Sequence, residues 1–216
     1  MSDPTTQGKK SRSKFLPRLW ILGFTISASF AFTSLVALTY HATKDYIRAN
    51  EKVFLQRAIL RAADLEVPKR AKQVAEKFEQ RVKVARNDNG EVAYYQILDQ
   101  DGQRQACVVP CKGKGLWGSI SAVVGFAMDC ETLTGIDFTK QNETPGLGGR
   151  ITEKWFKEQF KGKQGPFELL PEDSGSEDKG AFDGITGATI TSKAVKKMLN
   201  QVCRSVEDVV NHGGDA

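Results

Sequence analysis

Histidine is nearly absent from this sequence, since His41 and His212 are the only two among 216 residues. A zinc site draws on four closely spaced ligands and commonly on imidazoles, so a metal site has little support. The sequence also lacks a G-x-S-x-G segment and a C-x-x-C-H haem-attachment motif. We therefore expect no bound metal and no hydrolase-type catalytic residues.

Cysteine is sparse as well, with Cys107, Cys111, Cys130 and Cys203 as the complete set. In an oxidising compartment two nearby cysteines can form a disulfide, and their short spacing makes Cys107 and Cys111 the best pair for one. The alternative, in which the cysteines are only small residues within strands, has at least equal support. The pairing is a prediction that the structure tests.

Charge is missing from residues 19–40, LWILGFTISASFAFTSLVALTY. A helix of this length spans about 33 Å, enough for the hydrocarbon core of a membrane. Trp20 and Tyr40 stand at its two ends, where aromatic side chains favour the lipid–water interface. A cleaved signal peptide and a buried core helix are the alternatives, but no small-residue cleavage site lies at a fitting distance. We predict an uncleaved membrane anchor.

The residues before this run carry five basic side chains and a single acid, Asp3. A basic cluster can bind nucleic acid, but beside a membrane segment it instead fixes orientation, with the basic residues in the cytoplasm. We therefore expect no nucleic-acid partner. We expect everything after Tyr40 to lie across the membrane, which in a bacterium is the periplasm.

The rest of the chain has the periodicity of helix, then strands, then a final helix. Residues 42–84 predict helix with a break at Pro68, and an amphipathic helix covers about 192–210. Alternating segments between them predict two β-hairpins, formed by residues 91–98, 103–109, 119–128 and 132–140. The predicted fold class is α+β, an antiparallel sheet with packed helices after one N-terminal transmembrane helix. The predicted divisions are a cytoplasmic basic segment 1–18, a transmembrane helix 19–40, a helical stalk 41–85 and a periplasmic domain 86–216.

Three segments combine glycine with small or polar residues: GKGLWG at 113–118, ETPGLGG at 143–149 and DGITGAT at 183–189. The first lacks the Lys-Ser/Thr ending of a P-loop, and the second lacks the third glycine of a dinucleotide fingerprint. Neither segment therefore predicts a known nucleotide-binding loop.

The third segment precedes the final helix, and Gly187 and Ala188 leave the hydroxyl of Thr189 open to a bulky group. Thr191 or Ser192 would cap that helix, and the free N–H groups of a helix N-terminus suit a phosphate. The pattern fits a phosphate resting on, or bonded to, a threonine oxygen. An ordinary helix cap without a ligand is the alternative.

The TGAT sequence at 186–189, preceded by Asp183, resembles the motif of the FMN-binding domain family. In that family a flavin transferase attaches FMN through its phosphate to the last threonine, which here is Thr189. The segments GKGLWGSISAVVGF, ETPGLGGRI and KWFKEQFKGK occur in the order of the family. With the N-terminal anchor, the resemblance covers most of the chain and implies covalent FMN on Thr189.

The resemblance also implies further cofactor-binding residues, drawn from the three glycine-containing segments and the start of the last helix. The set comprises Trp117, Glu143, Thr144, Gly146, Leu147, Gly148, Asp183, Thr186, Gly187, Ala188 and Lys193. Glu143 and Thr144 would contact the ring edge or the ribityl chain, and Leu147 would touch the ring. Trp117 would either stack or simply pack, and Lys193 would pair with the phosphate unless it is an ordinary solvated lysine.

Within that family the chain resembles two groups of proteins: the G subunit of the Rnf (Rsx) complex and the C subunit of the sodium-pumping NADH:quinone oxidoreductase. The compact length favours the first, which we expect, while GKGLW and ETPGLGG favour the second. The chain would then be a single-pass protein of the bacterial inner membrane. It would work with other membrane subunits and relay electrons between ferredoxin and NAD, coupled to ion transport. A free-standing flavinylated carrier and a tethered binding domain without a cofactor are the alternatives.

Overall fold

The computed structural model describes residues 15–175 and 177–212. The chain divides into two compact units, the first ending at Ala49 and the second beginning at Asn50. Helix α1 runs from Phe15 to Ala62 and therefore belongs to both. The predicted cytoplasmic segment 1–18 lies outside the described residues, except for its last four positions.

Helix α1 contains the uncharged run that predicts a membrane span. Its segment Leu19–Ala62 includes an 18-residue window with a mean hydropathy of 1.9, and none of that window is buried. Trp20, Phe24 and Phe30 have 64–74% of their surface exposed. A core helix of a soluble domain would be covered by its neighbours, so the buried-helix alternative does not hold. By length and composition, α1 is suited to cross a membrane.

The second unit is built on a five-stranded antiparallel sheet whose strands lie in sequence order. The strands are β1 (Val82–Arg86), β2 (Val92–Leu98), β3 (Arg104–Lys114), β4 (Ser119–Phe126) and β5 (Leu133–Lys140). The β2–β3 turn follows from its sequence, because Asp99 Oδ1 accepts hydrogen bonds from two backbone N–H groups and Gly102 adopts a φ of 78°. A separate pair of parallel strands comprises β6 (Glu168–Leu170) and β7 (Ala181–Asp183).

Helices pack on both faces of the antiparallel sheet, which confirms the predicted α+β class. They are the end of α1, α2 (Ala71–Arg81), α3 (Lys154–Glu158) and α4 (Thr189–His212). Along β3, Cys107 and Val109 join the core beneath α3 and α4, whereas Ala106 and Val108 join the core beneath α1 and α2. Successive residues of a strand point to opposite faces, so one strand supplies both cores.

The core beneath α3 and α4 is centred on four phenylalanine rings that meet edge to face or tilted. They are Phe156, Phe160, Phe167 and Phe182, with centroid distances of 4.9–6.2 Å. All four are essentially without exposed surface. Removal of a ring from such a position costs about 3–5 kcal/mol. This core holds α4 against the sheet and thereby positions the residues at its N-terminus.

The segment predicted as a helical stalk, 41–85, is partly built into the second unit. The expected break at Pro68 falls in the irregular stretch between α1 and α2. However, residues 58–60, 62 and 63 are buried, and Val82–Arg86 is a strand rather than the end of a helix. These residues form a strand because their backbone groups pair with those of β2, beginning with Val82 opposite Ile97. The folded unit therefore begins well before residue 86.

A buried carboxylate ties two helices to the sheet. Asp137 on β5 is 3% exposed and accepts hydrogen bonds from Arg61 Nε at 2.5 Å and Lys157 Nζ at 3.0 Å. Arg61 lies in the last turn of α1 and Lys157 in α3. Because two cations meet one desolvated carboxylate, loss of that carboxylate would leave both without their partner.

The structure excludes a Cys107–Cys111 disulfide and favours the alternative, in which these cysteines are small residues within a strand. Both residues lie on β3 and face the same side of the sheet, four positions apart. Their Cα atoms are therefore roughly 13 Å apart, about twice the separation that a disulfide can bridge. All four cysteines are unpaired thiols in the structure.

Candidate functional site

The TGAT segment forms the turn that leads into α4, and its hydrogen bonds explain the small and hydroxylated residues. Gly187 has a φ of 78°, a left-handed conformation that glycine adopts at little cost. Ser192 Oγ accepts a bond from the N–H of Ile185 at 3.0 Å and donates one to the carbonyl of Ala188 at 3.1 Å. Ser192 therefore closes the turn from inside the helix.

Helix α4 begins at Thr189, three residues earlier than the sequence predicts. Thr191 and Ser192 are consequently first-turn residues, and the expectation that one of them caps the helix is wrong. The residue before the helix is Ala188, which has no side-chain oxygen to cap the first N–H groups. Those groups have no acceptor within the helix and lie next to the exposed side chain of Thr189. The Thr189 hydroxyl has no hydrogen-bond partner among the described residues.

A single buried carboxylate joins two of the glycine-containing segments to the first turn of α4. Glu143 is 5% exposed; its Oε1 accepts the backbone N–H of Trp117 at 3.1 Å, and its Oε2 accepts the hydroxyl of Thr191 at 2.5 Å. A side chain at Gly148 would lie 2.6 Å from Thr191 Oγ1, and one at Gly115 would overlap Glu143 Oε1. The two glycines are required because the segments pack this closely around Glu143.

Exposed apolar side chains surround the start of α4. Trp117 is 69% exposed and Leu147 is 43% exposed, while Ile190 follows Thr189 directly and is 57% exposed. The indole Nε1–H of Trp117 donates to Thr144 Oγ1 at 3.1 Å, which fixes the ring against the 143–149 loop. Leu147 reaches the TGAT turn, since its Cδ2 lies 3.0 Å from where a Gly187 side chain would begin. These groups offer a flat apolar ligand a surface without a deep pocket.

A shallow cleft of about 470 Å³ runs beside the TGAT turn. Its lining includes Thr186, Gly187, Thr189 and Lys193 on the α4 side, and residues 169–172 opposite. Lys193 stands one turn into the helix and forms no ion pair within residues 15–175 and 177–212. The cleft thus combines an available hydroxyl, a cation and a helix N-terminus.

Two residues that the sequence reasoning missed hold this turn in place. Glu172 Oε2 accepts the backbone N–H of Thr186 at 2.6 Å, and Glu172 Oε1 accepts Arg150 Nη2 at 2.8 Å. The Arg150 hydrogen bond, followed by the bonds from Thr186, lowers the pKa of Glu172 to about 2. The position of Arg150, directly after the GLGG segment, was the one sequence signal that could have identified it. Its partner Glu172 gave no such signal, because the sequence around it predicts only an acidic loop.

The remaining predicted residue, Asp183, lies at the end of β7 and not in the cleft lining. Its backbone N–H and carbonyl bond the Gln159 side chain at 2.7 and 3.1 Å, and its Oδ2 accepts the N–H of Gly175 at 3.3 Å. It therefore orders the segment that precedes the turn. Gly146, with a φ of 73°, and Gly148 shape the neighbouring loop. Ala188, 6% exposed, packs in the core beneath α3 and α4, and the other predicted residues lie at the cleft or in the loops around Glu143.

Comparison with known proteins identifies the family of the chain. Residues 115–204 match the FMN-binding domain. The G subunit of the ion-translocating oxidoreductase complex of Methanosarcina acetivorans is 32% identical over 196 residues, which cover 88% of this chain and 94% of that protein. The C subunit of the Na⁺-translocating NADH-quinone reductase of Neisseria meningitidis serogroup A is 34% identical over 108 residues. That match covers 47% of this chain and 42% of the relative.

Solved structures share the fold. The C subunit of the Na⁺-translocating NADH-quinone reductase from Parabacteroides distasonis matches with a TM-score of 0.62 and 27% identity, over 77% of this chain and 96% of that one. NqrC from Shewanella oneidensis, at 24% identity and the same TM-score, supports the fold alone. The fold and the comparisons define a flavin-carrying electron-transfer domain that follows an apolar helix in the sequence. The chain belongs to the FMN-binding domain family of ion-translocating oxidoreductase subunits.

Proposed function

We propose that this chain is the flavin-carrying subunit of an Rnf-type ion-translocating oxidoreductase and holds FMN through a phosphoester to Thr189 Oγ1. The observation that carries the proposal is the exposed Thr189 hydroxyl, which has no partner among the described residues. It stands at the first residue of α4, inside the stretch that matches the FMN-binding domain. Once attached, FMN would supply the electron transfer that the side chains lack.

The residues around Thr189 fit each part of the cofactor. The uncapped N–H groups of α4 and the ammonium of Lys193 would balance the phosphate charge. Trp117, Leu147 and Ile190 would provide apolar surface for the isoalloxazine ring, and Thr144 would remain the polar anchor of the indole. Because the cleft is shallow, the ring would stay within reach of a neighbouring protein of the complex. The contribution of the chain is therefore to fix the flavin and leave its edge accessible.

The sequence suggests that Glu143 contacts the flavin ring or the ribityl chain, but its hydrogen bonds indicate a structural role. Both of its carboxylate oxygens are engaged by protein donors, and it is almost fully covered. We infer that it holds the indole loop and the first turn of α4 in register. A direct contact between Glu143 and the cofactor remains a prediction.

The Rnf type is favoured by the extent of the match. The chain covers 94% of the Methanosarcina relative but only 42% of the Neisseria relative. The second candidate is the C subunit of a Na⁺-translocating NADH-quinone reductase, because the Parabacteroides protein of that name shares the fold over 77% of the chain. Under either assignment the partners are the other membrane subunits and a flavin transferase that performs the attachment.

We further propose that α1 crosses the bacterial inner membrane once. The basic residues before Leu19 would lie in the cytoplasm, and the flavin domain in the periplasm. The exposed apolar surface of α1 supports the crossing, and the charge distribution of the N-terminus supports its direction.

Mass spectrometry of the full chain tests the attachment. Protein expressed in a host that flavinylates its own proteins should be heavier by FMN less one water, and Thr189→Ala should lack the added mass. Ser205→Ala, which removes a hydroxyl from a later turn of the same helix, should keep it. An unmodified wild type, or a flavinylated Thr189→Ala, would refute the proposed site. Co-purification with membrane subunits of one complex then decides between the two assignments.

A further inference from the structure

Cys107 and Cys130 both lie at the end of β3 and β4 that is opposite the Trp117 loop. Cys107 lies directly opposite Phe126, the last residue of β4. The β4–β5 turn follows, and the bond from the Ala127 N–H to the Thr132 carbonyl closes it at 2.8 Å. Cys130 is in this turn, and its own N–H donates to the Ala127 carbonyl at 3.1 Å. The turn thus places Cys130 beside the strand end that faces Cys107.

The conformation of the turn holds Cys130 in this position. Its φ of 56° is left-handed, which is uncommon for a residue with a side chain. Asp129 Oδ1 accepts the N–H groups of Glu131 and Thr132 at 3.0 and 2.9 Å, so the turn is fixed on both sides of Cys130. The half-buried Cys130 side chain packs against the core that contains Cys107.

The thiol of Cys130 is close enough to influence the ionisation of Cys107. Burial is the main cause that raises the pKa of Cys107 to about 12, and both the charge and the side-chain hydrogen bond of Cys130 add to it. Cys111 and Cys203 have other hydrogen-bond and packing partners, and Cys203 influences the pKa of Cys111 only through its charge. Cys111 Sγ donates to the Ala122 carbonyl at 3.6 Å, and Cys203 packs against Gly165.

We propose that Cys107 and Cys130 form a disulfide in the mature protein and that Cys111 and Cys203 remain thiols. The bond would join the first part of β3 to the β4–β5 turn. In the reaction the two thiols lose two protons and two electrons and form one S–S bond. The acceptor is the disulfide of a thiol–disulfide oxidoreductase, which is reduced to two thiols.

The inference rests on the part of the proposed function that exports the domain, since disulfides persist in oxidising compartments. It does not rest on the flavin. Pairing of Cys107 with Phe126 and of Lys114 with Ser119 places the cysteines and the Trp117 loop at opposite ends of β3 and β4. Because a buried thiol with a raised pKa is a poor nucleophile, the bond should form before the domain is fully folded.

Thiol counting on the membrane-anchored full chain tests the pairing. Cells are quenched in acid, and the unfolded protein is alkylated before and after reduction with two reagents of different mass. The wild type should show two thiols before reduction and two more after it. Digestion with trypsin should link the peptide 105–112 to the peptide 115–140, with fragmentation that assigns the link to Cys107 rather than Cys111.

Two variants complete the test. Cys130→Ser should show three thiols before reduction and none released by it, whereas the matched control Cys111→Ser should show one before and two after. Reductant should lower the urea midpoint of the wild type and of Cys111→Ser but not that of Cys130→Ser. Four thiols in the wild type, or a link between any other pair, would overturn the inference. If the same spectra show FMN attached, the flavin function stands regardless.

Discussion

The hydroxyl of Thr191 lies 2.5 Å from the buried carboxylate of Glu143, which is 48 residues earlier in the chain. This hydrogen bond connects the first turn of α4 to the loop after β5. Since the other carboxylate oxygen accepts the N–H of Trp117, one side chain sets the distance between the exposed indole and Thr189. Glu143 therefore holds the exposed Trp117 ring at a fixed position relative to Thr189, the proposed attachment point.

Substitution of Glu143 should separate its volume from its charge. Glu143→Ala leaves the Thr191 hydroxyl and the Trp117 N–H without an acceptor, and a hydrogen bond to a charged group contributes about 1.5–3 kcal/mol. We expect the free energy of unfolding to fall by about 3 kcal/mol. Glu143→Gln keeps the volume and one acceptor oxygen, so its loss should be about half as large. Urea unfolding of the detergent-solubilised chain measures both, and equal losses would contradict the linking role.

The start of α4 illustrates how far the sequence could predict the site. The apolar spacing of Val195, Leu199, Val202 and Val206 correctly identified the buried face of the helix, because that spacing depends only on helix geometry. The first residue was misplaced because a threonine before an apolar run is typical of a cap. Here the Thr191 hydroxyl is used by a carboxylate from a distant loop, which no local pattern reveals.

Other differences have the same origin. Residues 82–84 continue an apolar helical spacing, yet they form β1 because their backbone groups pair with β2. The short spacing of Cys107 and Cys111 suggested a disulfide, but an extended strand separates them. The link between Glu172 and Arg150 spans 22 residues and depends on the folded turn. Periodicity predicted strands β2 to β5 and the final helix, whereas β1 and the contacts between loops depend on the tertiary structure.

The pKa of Glu172 predicts a specific pH dependence of stability. Hydrogen bonds from Arg150 and Thr186 lower this pKa from 4.5 in the unfolded chain to about 2 in the folded one. The ionised carboxylate therefore contributes its full stabilisation above the unfolded pKa, and the contribution is lost as the pH falls from about 4.5 to about 2. Glu172→Gln should remove this part of the acid destabilisation.

The measurement is the melting temperature of the wild type and of Glu172→Gln across the acid range. The two curves should be furthest apart above the unfolded pKa and should converge as the pH approaches the folded one. Glu177→Gln, in the same acidic segment, serves as a control and should follow the wild type. A constant offset between wild type and Glu172→Gln at every pH would show that the loss is one of packing and not of charge.

Lys193 and Lys197 offer a matched test of the phosphate position. Both lie on α4, one turn apart, but only Lys193 lines the cleft with Thr189. Lys193→Glu would place a negative charge beside the proposed phosphate, and in this open, solvated cleft a like charge about 4 Å away costs about 1 kcal/mol. We therefore expect the initial rate of flavin attachment to fall about fivefold, because 1.4 kcal/mol corresponds to about tenfold. Lys197→Glu should attach flavin at the wild-type rate.

Intact-mass measurement at successive times of incubation with the flavin transferase gives both rates. If the two variants are slowed equally, the effect is one of net charge on the helix, and Lys193 is an ordinary solvated lysine.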